Sequence, residues 1–281
     1  MTPNWLDPPL TAVREVVARA LAEDLGVFGD LTAGLVDPGA TASGTLVARR
    51  PGVLAGTLAA TEVFATVDPA IAVTWSSSDG DLVPMNRVMA TVNGPLASVL
   101  TAERTALNLL GHLSGVATMT RRFVEAAGPT ARIRDTRKTT PGLRALEKAA
   151  VRAGGGVNHR ASLSDGILVK DNHLAGLSID AAVKEARRRW PGIPCEVECD
   201  DLGQVKAALL AGADVILVDN MDPSEVAASV AMVGGRTPIE VSGGVTLENV
   251  GAYASAGVAM IAVGAITHSA PVLDIGLDLE A

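Results

Sequence analysis

The sequence predicts an α/β fold whose second half is an (α/β) barrel, and three observations carry that expectation. Six short runs, "ARIRD", "GILVK", "CEVEC", "VILVD", "PIEVS" and "MIAVG", follow one another from Ala131 onward. They are separated by roughly two to three dozen residues, the length of one crossover helix with its loops. The stretches "VKAALLAGADVILVDN" and "VGAYASAGVAMIAVGAIT" repeat one unit, an Ala-rich helix, an Ala-Gly turn and a short apolar strand. Hydrophobic residues make up 48% of the 281 residues but aromatics only 2%, so Ala, Val, Leu and Ile must fill the core, as thin helices packed on parallel strands do. An open doubly wound sheet would share this alternation, but no G-x-G-x-x-G follows the first strand, and the barrel is favoured.

At the N-terminus, "MTPNWLDPPLTAVREVV" carries Asp7, Arg14 and Glu15 where a secretory leader needs an apolar run, so a cytoplasmic protein is expected. His112 falls mid-helix in "NLLGHLSG" and reads as structural. Cys195 and Cys199 flank "CEVEC" without further metal ligands and read as packing thiols. Alternation in that strand puts Glu196 and Glu198 on one face, pointing into the barrel, where buried carboxylates need lysines or a Mg²⁺ ion as partners. The uncharged run Val250–Thr267 is punctuated by Gly251, Gly257 and Gly264, which favours a helix, turn and buried strand over a membrane span.

Chemistry concentrates at the strand ends, where barrels place their active sites: Arg137 with Lys138, Lys170, Glu198, Asp219, Ser242 with Gly243, and Gly264. The formal net charge is −8, yet residues 131–160 hold eight Lys or Arg against Asp135 and Glu147. A cationic pocket in an acidic chain suits a small, multiply anionic ligand and argues against nucleic acid. Arg144, Lys148 and Arg152 recur every fourth residue, so a solvated helix face explains them at least as well as ligand contact. The loops "VSGGV" and "VGAITHS" after the last two strands offer backbone N–H groups to a phosphate. "GGGVNHR" delivers His159 and Arg160 towards the same mouth, as donors to an anionic group.

Together, "GDLT", "AERTALNLLGHLSGVAT", "DTRKTTPGLR", "EKAAVRAGGGVNHR", "LSDGILVKDNH", "EVE", "LVDN", "SGG" and "VGAITHSAP" resemble the quinolinate phosphoribosyltransferase family, in order, from about Gly29 to the C-terminus. The resemblance implies an incomplete, seven-stranded α/β barrel (residues 113–281) joined to an N-terminal α+β open sandwich (residues 1–112), with the C-terminal tail packing back on the latter. The runs "SGTLVARRPGVLAG", "AVTWSSSDGDLV" and "RVMATVNGP" fit the short antiparallel strands of such a sandwich. It further implies a homodimer with shared active sites, with no nucleic-acid or membrane partner. The implied reaction transfers the phosphoribosyl group of 5-phosphoribosyl-1-pyrophosphate to quinolinate with loss of CO₂. By the same resemblance Arg137, His159 and Arg160 hold the quinolinate carboxylates, with Arg104 donated across the dimer. Lys138 and Lys170 bridge substrate and phosphates, Glu198 and Asp219 stand by the ribose and Mg²⁺, and Ser242, Gly243, Gly264 and His268 cradle the 5-phosphate. Gly166 stands in "SDGIL" where the family pattern leads one to expect a larger residue.

Overall fold

In the computed structural model, which describes residues 5–280, six parallel strands form one sheet and four antiparallel strands another. Each sheet is the centre of one of two compact units, and these do not follow a single cut at residue 112. The first unit holds the chain up to Arg121, Thr139–Gly155 and the tail from Ile266; the second holds Arg122–Lys138 and Gly156–Ala265.

In the first unit, α1 (Leu10–Leu25) buries Val13, Val16, Val17 and Leu21, one stripe at helical spacing. β1 (Thr41–Ala48) is followed by the short β2 (Gly52–Val53), α2 (Thr57–Val67), β3 (Ala72–Trp75), β4 (Leu82–Val83) and β5 (Val88–Pro95). β2 and β4 pair as a separate ribbon, and Asp79 caps α2 by accepting the Gly56 and Thr57 N–H groups at 2.9 and 3.1 Å. α3 (Leu96–Ala127), up to Arg121, carries Gly111 and Gly115 one turn apart. The C-terminal segment lies against them: Leu273 N–H donates to the Gly111 carbonyl at 3.0 Å, and a Cβ on Gly115 would fall within the Pro271 carbonyl. That segment continues from α9 (Ala265–His268) into β12 (Ile275–Leu279), which pairs antiparallel with β1 and completes the order β12-β1-β5-β3.

α4 (Arg144–Ala153) corrects the expectation of a solvated basic face. Glu147 and Lys148 are 0% and 3% exposed, and the Arg152 guanidinium donates to the carbonyls of Trp5, Leu6 and Asp7. His112 is structural, as expected: its Nε2 lies 2.8 Å from the buried Glu147 carboxylate, whose other oxygen accepts Thr140 N–H at 3.1 Å.

The second unit realises all six expected strands: β6 (Arg132–Arg134), β7 (Ile167–Val169), β8 (Cys195–Cys199), β9 (Val215–Asp219), β10 (Ile239–Ser242) and β11 (Met260–Ala262). Their order, β6-β11-β10-β9-β8-β7, is wholly parallel, and the crossovers carry α5 (Ile179–Arg189), α6 (Leu202–Ala211), α7 (Pro223–Val233) and α8 (Val250–Ser255). Sequence fixes the helix ends through Ser178, Asp201 and Asp222, whose side chains accept first-turn N–H groups. The seventh strand shrinks to one residue: Val157 forms a single parallel bridge with Arg134, next to β6, so the ladder stops between Val157 and β7. Among the described residues no helix is long and apolar enough to cross a membrane.

Gly115→Ala is expected to lower the thermal midpoint, with a stability loss of about 1–3 kcal/mol, because the added methyl meets backbone rather than a yielding side chain. Calorimetric or circular-dichroism melting checks this, and an unchanged midpoint would show that the tail yields freely.

Candidate active site

Strand register decides which side chains face the bore of the second unit. Leu168 pairs with Glu196, Glu198 with Leu217, Leu217 with Glu240, Asp219 with Ser242, and Ala262 with Arg134. Side chains of paired parallel residues share a face, and alternation adds every second residue. Leu168, Lys170, Glu196, Glu198, Leu217, Asp219, Glu240, Ser242, Ala262 and Arg134 therefore form the inner surface, with Lys170, Glu198, Asp219 and Ser242 at its C-terminal rim. Cys195, Val197 and Cys199 take the other face and are fully buried, and burial pushes the Cys199 thiol up to about 12, which suits inert packing groups.

A cavity of about 230 Å³ opens at that rim, lined among others by Arg137, Lys138, His159, Arg160, Lys170, Glu198, Asp219 and Ser242. Eight of the residues expected at the site thus converge. Gly243 and Gly264 follow the ends of β10 and β11. Arg104 and His268 belong to the first unit: Arg104 is 64% exposed on α3 with Glu103 at 3.8 Å, and His268 Nδ1 lies 2.6 Å from Ser269 Oγ.

Local structure holds the cations in place. Lys138 N–H donates to Thr136 Oγ1 at 3.0 Å, which tightens the turn carrying Arg137 and Lys138. Arg160 donates through Nη1 to the Gly166 carbonyl at 3.1 Å, and burial together with the neighbouring Arg137 lowers its pKa from the usual arginine value. A side chain at Gly166 would meet Arg160 only at ordinary contact distance, 3.6 Å, so this glycine is not sterically required. Gly243 is required: its φ is +86°, and a Cβ there would lie 2.8 Å from the Asn220 backbone nitrogen and closer still to its side chain.

Lys170 is ion-paired with Glu198, as expected for an inward carboxylate, and Asp219 accepts from Asn220 Nδ2 at 2.6 Å. Glu196 departs from the expectation of a lysine or metal partner: it takes His159 Nε2 at 2.9 Å. Glu240, which the reading of the sequence passed over, is fully buried and pairs with Arg134. Burial, then the nearby Glu196 carboxylate, push Glu240 up to about 8 against the opposing pull of Arg134. His159, Glu196 and Glu240 gather atoms within 4.8 Å of one another, and one oxygen each of Glu196 and Glu240 lacks a hydrogen-bond partner. A proton retained on Glu240 accounts for two carboxylates meeting in the bore beside a guanidinium. The signal was present in the sequence, since "PIEVS" alternates as "CEVEC" does, but a single acid forms no pair to draw attention.

Chemically, the rim offers two things side by side. Arginine forks and lysines can hold a small polyanion, and two carboxylates on adjacent strands can favour a growing cation or hold a hard divalent ion.

Comparison with known proteins finds relatives over nearly the whole chain. A family described as quinolinate phosphoribosyl transferase, N-terminal domain, matches residues 30–114, and its C-terminal domain matches residues 116–278. The carboxylating nicotinate-nucleotide pyrophosphorylase of Mycobacterium leprae is 46% identical over 283 residues, 97% of this chain and 99% of that protein. A probable enzyme of the same name from Bacillus subtilis is 40% identical over 270 residues, 95% of this chain and 93% of its own length. The solved nicotinate-nucleotide pyrophosphorylase from Francisella tularensis superposes with a TM-score of 0.94 at 36% identity, covering 100% of both chains.

Because Glu240 has a raised pKa in the folded state, the fold binds its proton more tightly than the unfolded chain does. The contribution of this group to stability is full below pH 4.5, falls as pH rises towards about 8, and levels beyond. Glu240→Gln, a neutral isostere, should flatten that part of the profile, by an amount on the order of a few kcal/mol. Urea midpoints from pH 5 to 8 test this, and parallel profiles for both proteins would refute it.

Proposed function

The chain belongs to the quinolinate phosphoribosyltransferase family, and from that premise we propose how the rim of its barrel performs the family's reaction. The enzyme transfers the phosphoribosyl group of 5-phosphoribosyl-1-pyrophosphate to the ring nitrogen of quinolinate, releasing pyrophosphate and CO₂ and forming nicotinate mononucleotide for NAD biosynthesis. The relatives' "carboxylating" name describes the same equilibrium from the product side.

Convergence of Arg137, Lys138, Arg160 and Lys170 on one cavity carries the reading of the site. Quinolinate is a dianion that must lie beside a polyphosphate, and without cations the two would repel. We assign the carboxylates to Arg137 and Arg160, whose forks match them in bidentate fashion, with His159 beside them. Lys138 and Lys170 stand where pyridine and phosphates meet. Ser242 and the backbone after β10 and β11, at Gly243 and Gly264, cradle the 5-phosphate. Glu198 and Asp219 favour the positive charge that grows at the ribosyl carbon as its bond to pyrophosphate breaks and the bond to the ring nitrogen forms.

The same two carboxylates are hard oxygen donors on neighbouring strands, a set that fits Mg²⁺ alongside phosphate oxygens. When bound, the ion would neutralise charge on the pyrophosphate. Decarboxylation needs no dedicated base: the alkylated nitrogen makes the ring a cationic electron sink, the C–C bond pair stays on the ring carbon as CO₂ departs, and that carbon takes up a proton.

The assembly we infer is a homodimer with shared sites. Arg104, exposed on α3, and a cluster of exposed apolar side chains at Val27, Phe28, Leu31 and Leu35 support it, since a lone soluble chain gains nothing from leaving these in water. A cytoplasmic location accords with the chain's substrates.

Purified protein with Mg²⁺ and 5-phosphoribosyl-1-pyrophosphate should consume quinolinate with equal release of CO₂ and leave nicotinate untouched. Arg137→Ala should lower kcat/KM for quinolinate by about 100-fold or more, the worth of a charge-assisted bidentate contact. Turnover of nicotinate would overturn the two-carboxylate assignment, and full activity of the variant would remove Arg137 from the site.

A further inference from the structure

His159 is gripped at three atoms. Its backbone N–H donates to Asp135 Oδ1 at 2.7 Å, its Nε2 faces Glu196 Oε2 at 2.9 Å, and its Nδ1 receives the Arg160 N–H at 2.7 Å. A backbone N–H can only donate, so Nδ1 must present a lone pair, and the ring proton therefore sits on Nε2 and points at Glu196. Both ring nitrogens are thus engaged by the protein. Asp135 is fully buried and its second oxygen accepts Asn158 Nδ2 at 2.7 Å, while Asp135 N–H reaches the Val157 carbonyl at 3.3 Å. These bonds lie where the seventh strand is reduced to the Arg134–Val157 bridge, so side chains replace the missing ladder.

Resting on the reading of Arg160 as a quinolinate ligand, we propose that Glu196 and Asp135 are positioning residues that hold His159 as a neutral strut, and that the strut fixes Arg160 for the substrate carboxylates. Glu196 is itself set by the Arg134–Glu240 pair behind it, with which it shares the bore. His159 then lines the site without donating a ring N–H to substrate, and discrimination for two carboxylates rests on the arginines.

Two measurements test this. With ¹⁵N-labelled histidine, only four imidazoles contribute, and His159→Gln assigns the signal. The account expects an unprotonated Nδ1 and a protonated Nε2 that saturating quinolinate does not move; an imidazolium signal, or an Nε2 shift on adding quinolinate, would overturn it. In kinetics, Glu196→Ala should raise the KM for quinolinate about tenfold or more while the KM for 5-phosphoribosyl-1-pyrophosphate stays within about twofold. Glu196→Gln, which keeps an acceptor oxygen for Nε2–H, should restore the native quinolinate KM. Equal changes in both KM values, or no rescue by glutamine, would defeat the positioning role. If the native chain does not turn over quinolinate at all, the functional reading fails, and the ring signals alone then decide whether the strut exists.

Discussion

Charges packed into a narrow, half-dry cylinder cannot stand alone, and this constraint organises the second unit. Transfer of an isolated ion from water is costly, and three acids of the bore have acquired a partner across it: Arg134 for Glu240, His159 for Glu196, Lys170 for Glu198. The three pairs differ in depth, and depth sets what each can do. Glu240 is fully enclosed and serves the barrel. Glu196 is nearly so and serves His159. The Lys170 side chain is 41% exposed at the rim, where water still solvates part of its ammonium.

The cations of the site come from segments that the fold holds by other means. Arg137 and Lys138 ride a turn tied by Thr136, while Arg160 is fixed from both sides, by its own Nη1 to Gly166 and by its N–H to His159. Such preorganisation is what electrostatic catalysis demands, since donors already aimed cost no reorganisation when charge develops. Close backbone approach shapes the rim after β10: Gly243 takes a left-handed φ against Asn220, which itself has φ +56°.

Much of this was legible in the residues. β7, β9 and β11 were marked by short apolar runs after glycine-containing turns, because parallel strands buried on both faces read as continuous apolar segments. The rim residues were legible because they end those runs. Other features were not. The seventh strand is a single bridge at Val157, too short to leave a pattern. Lys148 is buried although its spacing suggested a solvated face, since periodicity reports which residues share a stripe and not what covers it. The grip on His159 depends on Asp135 and Glu196, which are 24 and 37 residues away in the chain. Gly111 and Gly115 were hidden for the same reason, their meaning lying in a tail that returns some 160 residues later, at Pro271 and Leu273.

The most direct test of the central claim is a crystal structure with quinolinate, Mg²⁺ and a non-reacting analogue of 5-phosphoribosyl-1-pyrophosphate bound together. The account predicts both pyridine carboxylates within hydrogen-bond distance of the Arg137 and Arg160 guanidinium groups, with His159 still held between Arg160 and Glu196. A pyridine ring bound with its carboxylates facing Glu198 and Asp219, or held without either arginine, would contradict it.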